Sequence, residues 1–152
     1  MIDINLKTDE YYDELVRILG EEYIHKKVSS PFDFIYIANE GINANVIKNF
    51  RAHFEIPLDF TAQLLNISEP TIYRWTKKNK ILDSHFSVKL FEIVDLFLYG
   101  IRVFQGKDNF FKWFELPNTS IGGMEPQELA EFPDGISKIR DVLGRIEYGV
   151  YS

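Results

Sequence analysis

Cysteine is absent, so neither disulfides nor thiolate metal sites hold this chain together, and a reducing compartment is permitted. Histidine is scarce. His25, His53 and His85 are scattered without metal-ligand spacing, so they are expected at the surface and no metal site is expected. No serine stands in a Gly-x-Ser-x-Gly elbow, and no carboxylate pairs with a nucleophile in a recognisable setting. The expectation is a protein with no catalytic residues and no cofactor, not an enzyme. Long apolar runs are missing too: the stretch around Ile93 to Leu98 is interrupted by Asp95 and is too short to span a bilayer. The opening MIDINLKTDEYYDEL lacks the basic start and apolar centre of an export signal. A cytoplasmic protein without a membrane partner is expected.

What is present suffices for a core. Of 152 residues 45% are hydrophobic and 26% charged, which suits one or two compact domains. The net charge of −6 is unevenly spread. Met1 to Glu22 holds seven acidic against two basic residues, and Glu115 to Ser152 seven against three, so the middle of the chain carries +3. Only that middle part attracts phosphate. The acidic ends suit a partner other than nucleic acid.

Apolar periodicity predicts helices throughout and an all-α fold. Asp9 to Ile24 places Tyr12, Leu15, Val16, Leu19 and Tyr23 on one face, with Asp9 and Glu10 where a helix N-terminus favours carboxylates. A linker ends at Pro31. Phe32 to Ala38 reads as a short helix ended by Gly41, and Asn43 to Phe54 as the next, with Val46, Ile47, Phe50 and Phe54 inward. Phe86 to Phe104 shows an apolar face of Leu90, Ile93, Val94, Phe97, Leu98, Ile101 and Phe104, wide enough to need cover from the C-terminal part, from a second copy of the chain, or from both. The aromatic cluster Phe110, Phe111, Trp113 and Phe114 is expected in the core. Leu116 to Pro126 is a loop in which Gly122 and Gly123 permit turns. Pro126 to Phe132 is a short helix, and Ile136 to Glu147 a longer one with Ile139, Val142, Leu143 and Ile146 inward.

The stretch Leu58 to Lys78 carries the clearest function. It reads as helix, tight turn, helix: Ala62 is small where two helices would cross, Asn66 stands where φ must be positive, and Ile67 plugs the corner. Ser68 is an N-cap, Pro70 suits a first turn, and Ile72 with Trp75 forms a buried stripe. Ser68, Glu69, Thr71, Tyr73, Arg74, Lys77 and Lys78 are then the candidate DNA contacts, since a recognition helix points its N-terminal residues at base edges and its cations at phosphates. An ordinary helical hairpin has the same local pattern.

The C-terminal third resembles the toxin-binding domain of Xre/MbcA/ParS-type antitoxins. The residues that carry the likeness are Trp113, Phe114, Pro117, Asn118, Ile121, Gly122, Gly123, Pro126, Gly135, Leu143, Arg145, Ile146 and Gly149. Gly41-Ile42 and Thr71 to Arg74 resemble the Xre-like head of the same family, so the likeness spans about residues 32–152. Phe114 replaces the usual Leu and Gln127 a frequent apolar residue, while the first thirty residues have no counterpart.

The resemblance implies a non-enzymatic inhibitor of a RES-domain, NAD+-consuming toxin that represses its own operon and works as a homodimer on symmetric operator DNA. The expected division is a helical extension (1–30), a helix-turn-helix domain (31–84), then a dimerisation helix with the toxin-binding domain (85–152). Toxin contacts are expected from Asn118, Ile121, Gly122, Gly123, Lys138, Arg140, Arg145, Tyr148, Tyr151 and Ser152. In one version Tyr151 and the terminal carboxylate fill the toxin pocket while Arg140 and Arg145 pair at its rim; in the other the last helix closes the core and the Gly122-Gly123 loop makes the contacts. The alternative function is a plain helix-turn-helix regulator whose C-terminal part dimerises or senses a ligand.

Overall fold

A computed structural model of the protein describes residues 9–149. The fold is all-α apart from a two-stranded sheet. The chain divides into two units. The first comprises the described residues up to Ala62 together with Ile67–Phe91, the second Gln63–Asn66 together with the described residues from Glu92 onward.

In the first unit α1 (Asp9–Leu19) buries Tyr12, Leu15, Ile18 and Leu19. It stops five residues before the expected Ile24 because Gly20 takes φ +118°, a conformation other residues resist. Tyr23 is therefore half-buried beyond the helix. The next helix, α2 (Pro31–Glu40), is capped by Asp33, whose carboxylate accepts from the N–H groups of Ser29 at 2.8 Å and Ser30 at 3.1 Å. The strand β1 (Ile42–Asn43) pairs antiparallel with β2 (Ile81–Leu82), Ile42 opposite Leu82, a sheet absent from the sequence expectation. α3 (Val46–Phe54) buries the four expected residues Val46, Ile47, Phe50 and Phe54. It begins three residues later than Asn43 because Asn43 and Asn45 serve the turn before it, the N–H of Asn45 donating to Asn43 Oδ1 at 2.9 Å. Aromatic contacts join α1 to α2, Tyr12 to Phe34 at 5.8 Å, and α2 to Phe91 at 4.5 Å between ring centres. Each such ring contributes roughly 1.5–3 kcal/mol by its burial.

α4 (Leu58–Leu65), a short turn and α5 (Glu69–Lys77) follow the expected bounds. Asn66 has φ +54°, and Ser68 Oγ accepts from the Thr71 N–H at 3.2 Å. The buried pair on α5 is Ile72 and Thr76, not Ile72 and Trp75. Thr76 can sit inside because its hydroxyl donates to backbone carbonyls one turn back, Ile72 O at 3.0 Å or Tyr73 O at 3.1 Å. Trp75 is half-buried and meets Phe86 edge-on at 5.4 Å.

α6 (Ser84–Phe104) contributes its first turns to the first unit and Glu92–Phe104 to the second. Its apolar face is largely covered within one chain: Leu90, Ile93, Val94 and Phe97 are fully buried, while Leu98, Ile101 and Phe104 are half-buried. The width of that face therefore gives no reason for a second chain. Phe97 stacks edge-on against Phe110, Phe111 and Phe114 of α7 (Lys107–Phe114), as a core cluster should.

A 3-10 turn, Thr119–Ile121, follows, then α8 (Pro126–Leu129) and α9 (Gly135–Glu147). α8 is shorter than the expected Pro126 to Phe132, since the chain turns back at once into α9. Gly135 permits that turn. A Cβ on Gly135 would fall 1.8 Å from Leu129 O, so any larger residue would have to push two helices apart. α9 buries Ile136, Ile139, Val142 and Leu143, whereas Ile146, expected inward, is half-buried near the helix end. Among the described residues no helix is long and apolar enough to cross a membrane.

Candidate functional site

Two surfaces gather the residues singled out in the sequence. The first is the outer face of α5. Glu69, Tyr73 and Lys77 follow one another at four-residue spacing, with Arg74 and Lys78 on the adjoining row, and all five are exposed. Lys77 Nζ lies 5.7 Å from the centre of the Tyr73 ring, which is 63% exposed. Ser68 and Thr71 are engaged with one another, their hydroxyls 2.7 Å apart, so they fix the start of the helix before they contact anything else. Lys80, which the sequence reading passed over, is exposed and stands 5.5 Å above the Trp75 ring, adding a cation beyond the helix end.

Asparagines brace this helix from behind. Asn45 Nδ2 donates to Thr76 O at 3.0 Å and to Asn79 Oδ1 at 2.8 Å. Asn43 Nδ2 approaches the same Asn79 oxygen at 3.3 Å. Carbonyls at the end of a helix lack partners within it, and Thr76 obtains one here from a side chain thirty-one residues away.

The second surface is a groove of about 360 Å³ in the second unit, lined by Ser120, Ile121, Gly122, Leu129, Lys138, Asp141, Val142 and Arg145. Its one wall is a tightly closed loop. Asn118 N–H donates to Met124 O at 2.9 Å, Gly123 N–H to Asn118 O at 2.9 Å, and Ser120 N–H to Asn118 Oδ1 at 2.8 Å. Gly122 and Gly123 take φ +74° and +83°, the turn their pairing predicts. The other wall is α9, where Lys138, Asp141, Val142 and Arg145 follow at spacings of three, one and three and so share one face.

Residues 100–149 match the antitoxin Xre/MbcA/ParS C-terminal toxin-binding domain. That third of the chain is similar to the toxin-binding domain of Xre/MbcA/ParS-type antitoxins. A relative described as a Prs ADP-ribosylating antitoxin, from Sphingobium sp. (strain YBL2), is 22% identical over 133 residues, covering 82% of this chain and 84% of the relative.

Within the matched stretch the structure brings Ile121, Gly122, Lys138 and Arg145 together at the groove, with Asn118 and Gly123 holding its loop wall. Arg140 is placed elsewhere. Its Nη1 donates to Asp95 Oδ2 at 2.7 Å, and its guanidinium lies 4.8 Å from the centre of the Tyr99 ring. Arg102 stands 5.2 Å from the same ring, and its Nη2 is 3.7 Å from Glu147 Oε2. Burial pushes the Tyr99 phenol up to about 12, helped by the negative charge of Glu147, which accepts its hydroxyl at 3.3 Å, and opposed by Arg140. Tyr148 is 55% exposed just past α9; Tyr151 and Ser152 lie outside the described residues. Ser120, Leu129, Asp141 and Val142 line the groove without being among the expected toxin contacts. The interval from Lys138 to Arg145, two helical turns with Asp141 between, is the signal that could have found the last two.

Proposed function

We propose that the protein is the antitoxin of an ADP-ribosylating toxin system, that it silences a RES-domain, NAD+-consuming toxin by direct binding, and that it represses its own operon through α5. The observation that carries this reading is a coincidence of place. Every residue lining the groove falls inside the stretch that matches a toxin-binding domain. The name of the Sphingobium relative supports a toxin that transfers ADP-ribose, a chemistry that consumes NAD+.

Inhibition on this reading needs no chemistry from the antitoxin. The groove and its loop anchor the toxin, and Tyr148 with Tyr151 and Ser152 beyond it reach the toxin's dinucleotide site. Such a site must receive two phosphates, so cationic and aromatic groups there would accept a phenol. Transcriptional control uses the exposed Tyr73, Arg74, Lys77 and Lys78, supported by a middle segment that is positive within an acidic chain. One recognition helix per chain reads a half-site, so two copies act together in the cytoplasm on a symmetric operator.

Co-expression with the toxin gene of the neighbouring reading frame tests the proposal. Growth should be restored by the full chain, and a gel shift should show it binding the promoter fragment of the pair. Continued arrest at matched expression would refute the antitoxin role; loss of the shift alone would refute the autoregulation.

A further inference from the structure

The groove between the Gly122 loop and α9 has a composition that specifies what it can hold. Ile121, Leu129 and Val142 supply its apolar lining. Lys138 and Arg145 supply its positive charge, and they are two of the three basic residues between Glu115 and Ser152. The third, Arg140, is bonded to Asp95. An acidic stretch thus concentrates its cations at one hollow. Gly122 adds a wall without a side chain: a Cβ built there would meet nothing within 4 Å, so the space beside it is open in this chain.

Size and charge narrow the occupant. About 360 Å³ is at the low end of the roughly 300–1,000 Å³ of ligand sites, suited to a short side-chain anchor. Asp141 stands in the lining between the two cations, which disfavours a doubly charged phosphate and tolerates a single carboxylate. An apolar floor beside a cation pair is complementary to an apolar residue next to an acidic one. We propose that this groove receives a segment of the toxin that seats an apolar side chain on Ile121, Leu129 and Val142 and an Asp or Glu carboxylate against Lys138 and Arg145. The inference rests on the antitoxin reading and names the chemistry of its contact.

The test measures affinity of the full chain for the toxin of the neighbouring reading frame by calorimetry, at two salt concentrations. Lys138 and Asp141 are both exposed, so their variants should fold. Lys138→Glu should weaken binding roughly tenfold, and Asp141→Asn, which removes the groove's own negative charge, should strengthen it by a few-fold. The gain in the second variant is a readout that a merely structural role does not give. A photo-reactive benzoylphenylalanine at position 138 should cross-link to a toxin segment containing Asp or Glu beside an apolar residue. Unchanged affinity in both variants beside a wild-type chain that binds would overturn the groove assignment and leave the antitoxin reading standing. A cross-link to residues 150–152 of the same chain would overturn it too, by giving the groove to the chain's own end. A wild-type chain that does not bind the toxin would instead sink the reading on which the inference rests.

Discussion

Arg140 Nη1 and Asp95 Oδ2 are 2.7 Å apart, a charge-assisted hydrogen bond between α9 and α6 within the second unit, largely shielded from water. Arg140 also stacks on Tyr99, so its guanidinium is held on two sides. Arg140→Ala should therefore cost about 1–3 kcal/mol of stability. Urea denaturation measures that loss, and calorimetry should show toxin affinity of the folded variant within about twofold of wild type.

Tyr99 makes stability sensitive to alkali. Its phenol is raised to about 12 in the folded chain against 10.0 as the ordinary value, so folding favours the neutral form. The stabilisation is fully present below pH 10 and is lost as pH rises from there through 12, to a total of roughly 2–3 kcal/mol. Tyr99→Phe should be weaker at pH 8 for want of the Glu147 bond, yet lose less stability than wild type between pH 8 and 11. Parallel losses in the two proteins would contradict this.

If α5 reads DNA as proposed, Asn45 bears on that binding from behind the helix. Asn45→Ala removes the donor to Thr76 O and to Asn79 and should cost about 1–2 kcal/mol. The same change should weaken operator binding in gel shifts by loosening the end of α5, while toxin affinity stays unchanged.

The cations of α5 should divide by role. Arg74→Ala should weaken operator binding by about 1–3 kcal/mol and relax its sequence preference, whereas Lys78→Ala should weaken all sequences alike and flatten the salt dependence. Undiminished binding by a triple Arg74→Ala, Lys77→Ala, Lys78→Ala variant, with its fold intact by circular dichroism, would remove α5 from the DNA surface.

Local chemistry was the legible part of this sequence. Asn66 with φ +54° and Ser68 capping Thr71 are where their side chains argue they should be, because both are decided within a few residues. The Gly122-Gly123 turn is of the same kind. The two-residue strands were invisible, since Ile42–Asn43 and Ile81–Leu82 are too short to show alternation and exist only through their pairing. Thr76 takes the inner position that spacing from Ile72 assigns to Trp75, because its hydroxyl bonds its own helix, which an apolar pattern does not register. The width of the α6 face leaves open whether the C-terminal part or a second chain covers it, and Phe110, Phe111 and Phe114 against Phe97 supply cover from the C-terminal part. The groove escaped for a different reason. Motif likeness selects residues, while a hollow is a shape made with neighbours such as Leu129 and Val142 that no motif marks.

The most direct measurement of the central claim follows NAD+ consumption by the purified RES-type toxin of the neighbouring reading frame while the full antitoxin chain is added. Turnover should fall linearly to near zero at a fixed molar ratio, as a tight occluding complex requires, and should fall less when the Lys138→Glu, Arg145→Glu double variant is added at the same concentration. Undiminished turnover in the presence of excess folded wild-type chain would contradict the account.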